Sequence, residues 1–146
     1  SSGVVSSISD RKITKETCKF FGVTLTLDEN GREQNHFYPY HDAQGKHIAN
    51  KIRGRGKSFR WEGAAQSATL FGQNTFGSNS ARAITITEGE LDALACYQLL
   101  GSRYPVVSIK DGASSAEKTC KENYKYLDSF DTITICFQQS GTLLQI

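Results

Sequence analysis

The spacing of apolar and polar positions changes character near residue 80. Before it, short alternating runs predominate, as in half-buried strands. Residues 16–21 predict a first helix, with Thr14 placed to cap its N-terminus and Gly22 to stop it. Residues 23–27 alternate apolar side chains with threonine and predict a strand. Asp28-Glu29-Asn30-Gly31 follows as a turn with Asn-Gly at its centre. The aromatic-rich run 36–41 predicts a second strand. Pro39 inside it points to a sheet edge, because proline has no N–H for a ladder. Asp42-Ala43-Gln44-Gly45 turns the chain into a strand over 47–53, making a hairpin. Gly54 and Gly56 break that strand before another over 58–61.

After Ser78-Asn79-Ser80 the period lengthens. A-I-T-I-T (residues 83–87) predicts a strand, and a helix follows over 90–100 with Leu91, Leu94, Ala95 and Leu99 on one face. Residues 106–109 predict a second strand. Ser114-x-x-Glu117 has the spacing of a capping box, opening a helix that buries Ala116, Cys120, Tyr124 and Leu127. A third strand covers 133–137. Strand–helix–strand–helix–strand implies a parallel sheet with right-handed crossovers. The fold class is therefore α/β: a small mixed α+β subdomain over residues 9–80, then a parallel-sheet domain over 81–146, with residues 1–8 a tag or linker. Sites in parallel sheets gather at the carboxyl ends of strands. Here those ends are Thr87-Glu88, Ile109-Lys110-Asp111 and Phe137-Gln138. Beyond Phe137 the periodicity stops, which reads as truncation or alteration of the domain.

A length of 146 residues admits one domain or two small subdomains. No run of 18 apolar residues exists, so nothing spans a membrane as a helix, and no signal peptide is present. The net charge of +2 says little, but its distribution says more. Lys46, Lys51, Arg53, Arg55, Lys57 and Arg60 lie in a stretch without acids, while Glu88, Glu90 and Asp92 cluster elsewhere. A basic stretch and an acidic cluster suit a polyanion held beside a metal ion, although a solvated strand face explains the basic residues equally well. Cys18, Cys96, Cys120 and Cys136 form no C-x-x-C pair, so they predict buried free thiols of a reducing cytoplasm and no zinc. His36, His41 and His47 surround one turn and read as hairpin histidines rather than a metal site.

The sharpest chemistry lies in T-E-G-E-L-D, residues 87–92. Glu88 sits at a strand end, Gly89 lets a ligand approach the backbone, and Asp92 falls in the first turn of the next helix. Carboxylates so placed repel unless a cation lies between them, and Mg²⁺ or Mn²⁺ is the usual one. Glu90 is placed on the outer helix face, where it only favours the helix dipole.

Several segments in order carry a resemblance: I-T-K-E-T-C (13–18), N-K-I-R (50–53), K-S-F (57–59), A-T-L-F-G (68–72), I-T-E-G-E-L-D (86–92), Y-P-V-V-S (104–108), D-G-A-S-S-A-E-K-T-C (111–120) and N-Y-K-Y-L-D-S-F (123–130). The chain resembles the primase half of short-tailed-phage primase–helicases, relatives of the mitochondrial helicase Twinkle, from about Ser9 to Phe137. The resemblance implies an incomplete Toprim domain after residue 80 and template-directed RNA primer synthesis for DNA replication. It implies NTPs as substrates, single-stranded DNA as template, a helicase domain as partner and the host cytoplasm as location. By it, Glu88 is catalytic and a metal ligand, Asp92 is a metal ligand, and Lys51, Lys57 and Arg53 contact the triphosphate in a cleft between subdomains. Lys46, Arg55, Arg60 and Trp61 are assigned to nucleic acid, with Phe59 or Trp61 able to stack on bases.

Gly56-Lys57-Ser58 is not a P-loop, because Lys51 stands where its first glycine belongs and a strand follows instead of a helix. Where the family carries Asp-x-Asp after the third Toprim strand, this chain reads Gln138-Gln139-Ser140, and the family's upstream zinc domain is missing. These departures imply weak divalent-ion binding and impaired synthesis. A non-catalytic module binding single-stranded DNA and a Toprim nuclease remain as alternatives.

Overall fold

The computed structural model describes the backbone of residues 3–56, 58–139 and 142–145, and side chains as far as Phe137. The chain divides into two compact units, Ser1–Ala68 and Thr69–Ile146. The division falls before residue 80 because Phe71 already exchanges both backbone hydrogen bonds with Ser108 of the second unit, at 2.9 and 3.1 Å. Residues 4–8 are not a loose linker. Val4 pairs with Leu25, and Ile8, 1% exposed, bridges to Ile13.

The first unit is one antiparallel sheet in the order β1-β2-β3-β4, comprising β1 (Thr24–Leu27), β2 (Glu33–His41), β3 (His47–Arg53) and β4 (Phe59–Gly63). Helix α1 (Lys15–Phe21) precedes it, capped as its sequence predicts. The Thr14 hydroxyl accepts from the Thr17 N–H at 3.1 Å, and Gly22 ends the helix in the left-handed region. Both tight turns share one device. Asp28 Oδ1 accepts the amides of Asn30 and Arg32, and Asp42 Oδ1 those of Gln44 and Lys46, all at 2.9 Å. Strand β2 is an inner strand, so Pro39 does not mark a sheet edge. It is tolerated because the β1 pairing ends at Thr24↔Phe37, which leaves Pro39 paired only with Asn50 of β3.

The second unit has the sheet order β6-β5-β7-β8. Strands β5 (Ala83–Thr87), β6 (Val106–Ser108) and β7 (Thr132–Gln139) run parallel, as predicted. A fourth strand, β8 (Thr142–Gln145), pairs antiparallel with β7, so the chain beyond Phe137 is not structureless. Helix α2 (Glu90–Leu99) buries Glu90, Leu91, Ala93, Leu94 and Tyr97. Its inward face thus includes Glu90, 4% exposed, and excludes Leu99, 86% exposed, contrary to the predicted phase. The later helix is split into α3 (Ala116–Glu122) and α4 (Tyr124–Asp128). Asn123 Nδ2 donates to the Thr119 carbonyl at 2.9 Å, a local bond of the kind that competes with helix continuation. The restart puts Tyr126 and Leu127 inside and leaves Tyr124 exposed. The capping box does not form either: the N-cap of α3 is Ser115 rather than Ser114, no side-chain cap bond is made there, and Ser115 Oγ donates to Gly112 O at 3.2 Å beside a short 3-10 turn, Ala113–Ser115. All four cysteines are free, but only Cys18 is fully buried.

Candidate functional site

Strand alternation sorts the basic residues. Lys51 stands opposite Trp61, and Arg53 opposite Phe59, across the β3–β4 pair. These four therefore share one face of the sheet, with His36, Tyr38 and Tyr40 of β2 continuing it. Arg60 stands opposite Ile52 and belongs to the other face, beside Glu62. Trp61 and Arg60, grouped together from the sequence, are thus separated by the pleat.

On the first face Lys51 is 8% exposed, with Nζ 4.7 Å from the Phe59 ring centroid and 5.8 Å from that of Trp61. The Arg53 guanidinium lies 5.3 Å from the same Phe59 ring. Trp61 is backed by Tyr40 at 4.9 Å between centroids. Phe59, 48% exposed, presents the outer part of the cluster to solvent. The arrangement offers positive charge together with aromatic surface, the combination that single-stranded nucleic acids and nucleotides use. Next to it, His36 bonds Tyr38 Oη at 2.9 Å and Glu33 Oε1 at 3.1 Å.

Arg55 is engaged elsewhere. Its guanidinium pairs with the Asp28 carboxylate, and its Nε donates to Glu33 O at 3.2 Å. That guanidinium and the Arg32 amide hold the Asp28 carboxyl below its ordinary range. The pair ties the β3–β4 turn to the β1–β2 turn, a role without a signal in sequence spacing. Lys46 is exposed in the β2–β3 turn. Lys57 lies outside the described residues. The hairpin histidines are separately committed: His41 and His47 rings lie 5.4 Å apart, and His47 Nε2 meets Asn50 Oδ1 at 2.8 Å.

In the second unit the strand-end turn has a defined shape. The Thr87 hydroxyl donates to Gly89 O at 3.0 Å, and Thr87 is 2% exposed. This tether fixes the half-buried Glu88 between β5 and α2. Gly89 has φ −133°, a value any residue adopts, so the backbone itself does not demand glycine. A Cβ there would lie 3.5 Å from Asp92 Oδ2, which shows the Asp92 carboxylate leaning back over the turn. Lys110, 7% exposed, follows β6 at the same end of the sheet as Glu88. Among the described residues no three His, Cys, Asp or Glu side chains gather as a metal site. Glu88 and Asp92 are two hard oxygen donors, which fits Mg²⁺ completed by substrate phosphates rather than a cage made by protein alone. Backbone positions Gln138 and Gln139 belong to β7, while their side chains and Ser140 lie outside the described residues.

An antiparallel sheet followed by a mainly parallel sheet is the fold of a phage primase fragment. The crystal structure of the primase fragment of the bacteriophage T7 primase-helicase matches with a TM-score of 0.83 at 36% identity, over 94% of this chain and 56% of that one. A chain of the T7 lagging-strand DNA polymerase assembly matches with a TM-score of 0.82 at 35% identity, over 94% of this chain and 68% of that one. In that assembly the polymerase interacts with primase domains of two subunits bound to an RNA/DNA hybrid and dTTP. The family described as the bacteriophage T7 DNA helicase/primase, N-terminal a+b fold, matches residues 3–63. The sequence is 38% identical over 137 residues to the DNA helicase/primase of Enterobacteria phage T3, spanning 94% of this chain and 24% of that protein. The chain belongs to the bacteriophage helicase/primase family.

Proposed function

We propose that this chain is the nucleotide-handling part of a Toprim-type DNA primase, whose parent reaction joins NTPs on a single-stranded DNA template into short RNA primers. The observation that carries this reading is the strand-end turn at Thr87-Glu88-Gly89, with Asp92 leaning over it, in a chain that aligns over 94% of its length with a helicase/primase. In the reaction a 3′ hydroxyl attacks the α-phosphorus of an NTP, a P–O bond forms, and pyrophosphate leaves with the electron pair of the broken bond. Lys51, Arg53 and Lys57 bind the triphosphate by charge. Glu88 and Asp92 would hold Mg²⁺ or Mn²⁺, which would supply positive charge against the phosphates. Glu88 also stands as the acceptor for that hydroxyl's proton. The sequence Gln138-Gln139-Ser140 offers no carboxylate where the family carries Asp-x-Asp, so affinity for the ion is low and primer synthesis by this chain is impaired. A helicase domain is the partner, and host cytoplasm the place of work.

A second reading, a non-catalytic module for single-stranded DNA or nucleotide, is favoured by the exposed Phe59 beside Arg53. The two differ in their need for metal. Calorimetric titration with ATP, with and without Mg²⁺, should show tighter binding with the ion in the wild type and no such gain in Glu88→Gln. ATP binding that ignores Mg²⁺ in both proteins would remove the catalytic reading and leave the binding module.

A further inference from the structure

We propose that Cys96 and Cys136 are a dithiol pair that a small-molecule disulfide closes into a bond between α2 and β7, and that closure shifts Asp92 and so regulates ion-dependent nucleotide binding. The second clause rests on the reading of Asp92 as a metal ligand, and the first stands without it. Topology brings the two thiols together. Cys136 is paired with Thr87 across β5 and β7, so both side chains leave the sheet on one face. On that face the Thr87 hydroxyl bonds Gly89 O at 3.0 Å, at the head of α2. Strands β5 and β6 run parallel, so α2, which joins them and packs on both, runs back along β5. The chain climbs at most roughly 10 Å from Thr87 to Glu90. Helix α2 then returns roughly 9 Å from Glu90 to Cys96, which brings Cys96 level with Thr87 and its partner Cys136. Strand β7 lies next to β5 on the side away from β6, beside the flank of α2. Both cysteines are free and half-buried, as residues at such a flank are. The electrostatics agree: burial, then the Cys136 thiol, then the Asp92 carboxylate push the Cys96 thiol up. The Cys120 thiol is raised by burial alone, and Cys18 stands in the first unit.

The oxidant is oxidised glutathione. The thiolate of one cysteine attacks a glutathione sulfur, the S–S bond of glutathione breaks, and one glutathione leaves with the electron pair. The second cysteine, as thiolate, attacks the mixed disulfide, the protein S–S bond forms, and the second glutathione leaves. Two electrons and two protons pass from the cysteines to glutathione. A disulfide holds its Cα atoms about 4.4–6.8 Å apart, so closure draws this turn of α2 onto β7. Asp92 lies one turn back on α2, where its carboxylate leans over Gly89, and it moves with the helix.

The test incubates the folded chain in mixtures of reduced and oxidised glutathione, blocks remaining thiols with iodoacetamide, and reads intact mass and a peptide map. Wild type should lose two hydrogens and yield a peptide joining Cys96 to Cys136, which dithiothreitol reverses. Cys96→Ser and Cys136→Ser should each lose that peptide, and Cys120→Ser should keep it. Glutathione adducts without the internal link, or a link through Cys120, would overturn the pair. ATP is then titrated calorimetrically into the reduced and the oxidised chain, with and without Mg²⁺. Oxidation should remove most of the gain in affinity that Mg²⁺ gives the reduced chain, and should leave that gain intact in Cys96→Ser. An equal gain in both redox states, with the disulfide formed, would overturn the regulation. A reduced chain without any such gain would instead remove the metal reading beneath it and leave the disulfide standing.

Discussion

Arg53 and Arg60 make a clean pair for testing which face of the first sheet meets a polyanion. They lie seven positions apart in the basic stretch, and composition alone treats them alike. Register does not: Arg53 faces the side of Lys51 and Phe59, and Arg60 the side of Ile52 and Glu62. On single strands each phosphate contact adds about 0.7 to the slope of log affinity against log salt. Losing the Arg53 contact should therefore flatten the slope by about 0.7, so that a fourfold rise in salt costs Arg53→Ala roughly 2.6-fold less affinity than it costs wild type. Arg60→Ala should leave the slope unchanged, because Arg60 stands on the opposite face, which lacks the aromatic cluster. Fluorescence anisotropy with a labelled single-stranded oligonucleotide, from about 50 to 200 mM salt, resolves the difference. A flattened slope in Arg60→Ala with none in Arg53→Ala would place the interface on the wrong face and undo the assignment of Lys51 with it.

Two further outcomes concern the scaffold. Gly63 has φ +88°, and a Cβ there would lie 2.3 Å from Ile48 O, whereas Gly31, at φ +77°, has nothing within 4 Å; Gly31→Ala should cost about 1–2 kcal/mol in urea denaturation and Gly63→Ala at least about 3, and equal losses would refute the steric account. Burial, assisted by Glu33, pushes the Cys18 thiol up to about 11. The folded chain therefore keeps a proton that the unfolded chain releases near pH 8.5, and this part of the stability is present below that value and declines as pH rises towards 11. The urea midpoint should fall between pH 8 and 10 in wild type and fall less in Cys18→Ala; identical pH dependence in the two would count against it.

Local chemistry was legible where one residue type decides the outcome. Thr14 and Gly22 delimit α1 because a hydroxyl cap and a left-handed stop are written in single positions. The Asp-x-x-Gly turns at Asp28 and Asp42 follow for the same reason. A-I-T-I-T gives β5 with bounds that match the structure, since a β-branched run has few other uses. Pattern and structure part where polar residues compete for interior space. The phase of α2 departs from its apolar spacing because Glu90 and Tyr97 go inward while Leu99 does not, and hydropathy alone cannot show that a buried tyrosine hydroxyl will find the Ser102 carbonyl at 2.9 Å. Thr142-Leu143-Leu144-Gln145 lacks the alternation of a half-buried strand, so β8 became visible only through its pairing with β7.

The candidate site was legible as a list of residues and illegible as a surface. Spacing places Lys51 and Arg53 together, since residues two apart share a strand face. It cannot bring Phe59 and Trp61 to them, because that depends on the β3–β4 register, Lys51↔Trp61 and Arg53↔Phe59, which the intervening turn sets. A register shift of one residue would exchange Trp61 for Arg60 opposite Lys51, replacing an attraction by a repulsion between like charges. The ring therefore has two consequences at once: it accommodates the buried ammonium, and it penalises the misaligned hairpin. Arg55 adds a second tie, since its bond to Asp28 links the β3–β4 turn to the β1–β2 turn. Arg55 thus joins two turns of the sheet through its pair with Asp28, and Lys51 and Arg53 present their charge on the face that the β3–β4 register defines.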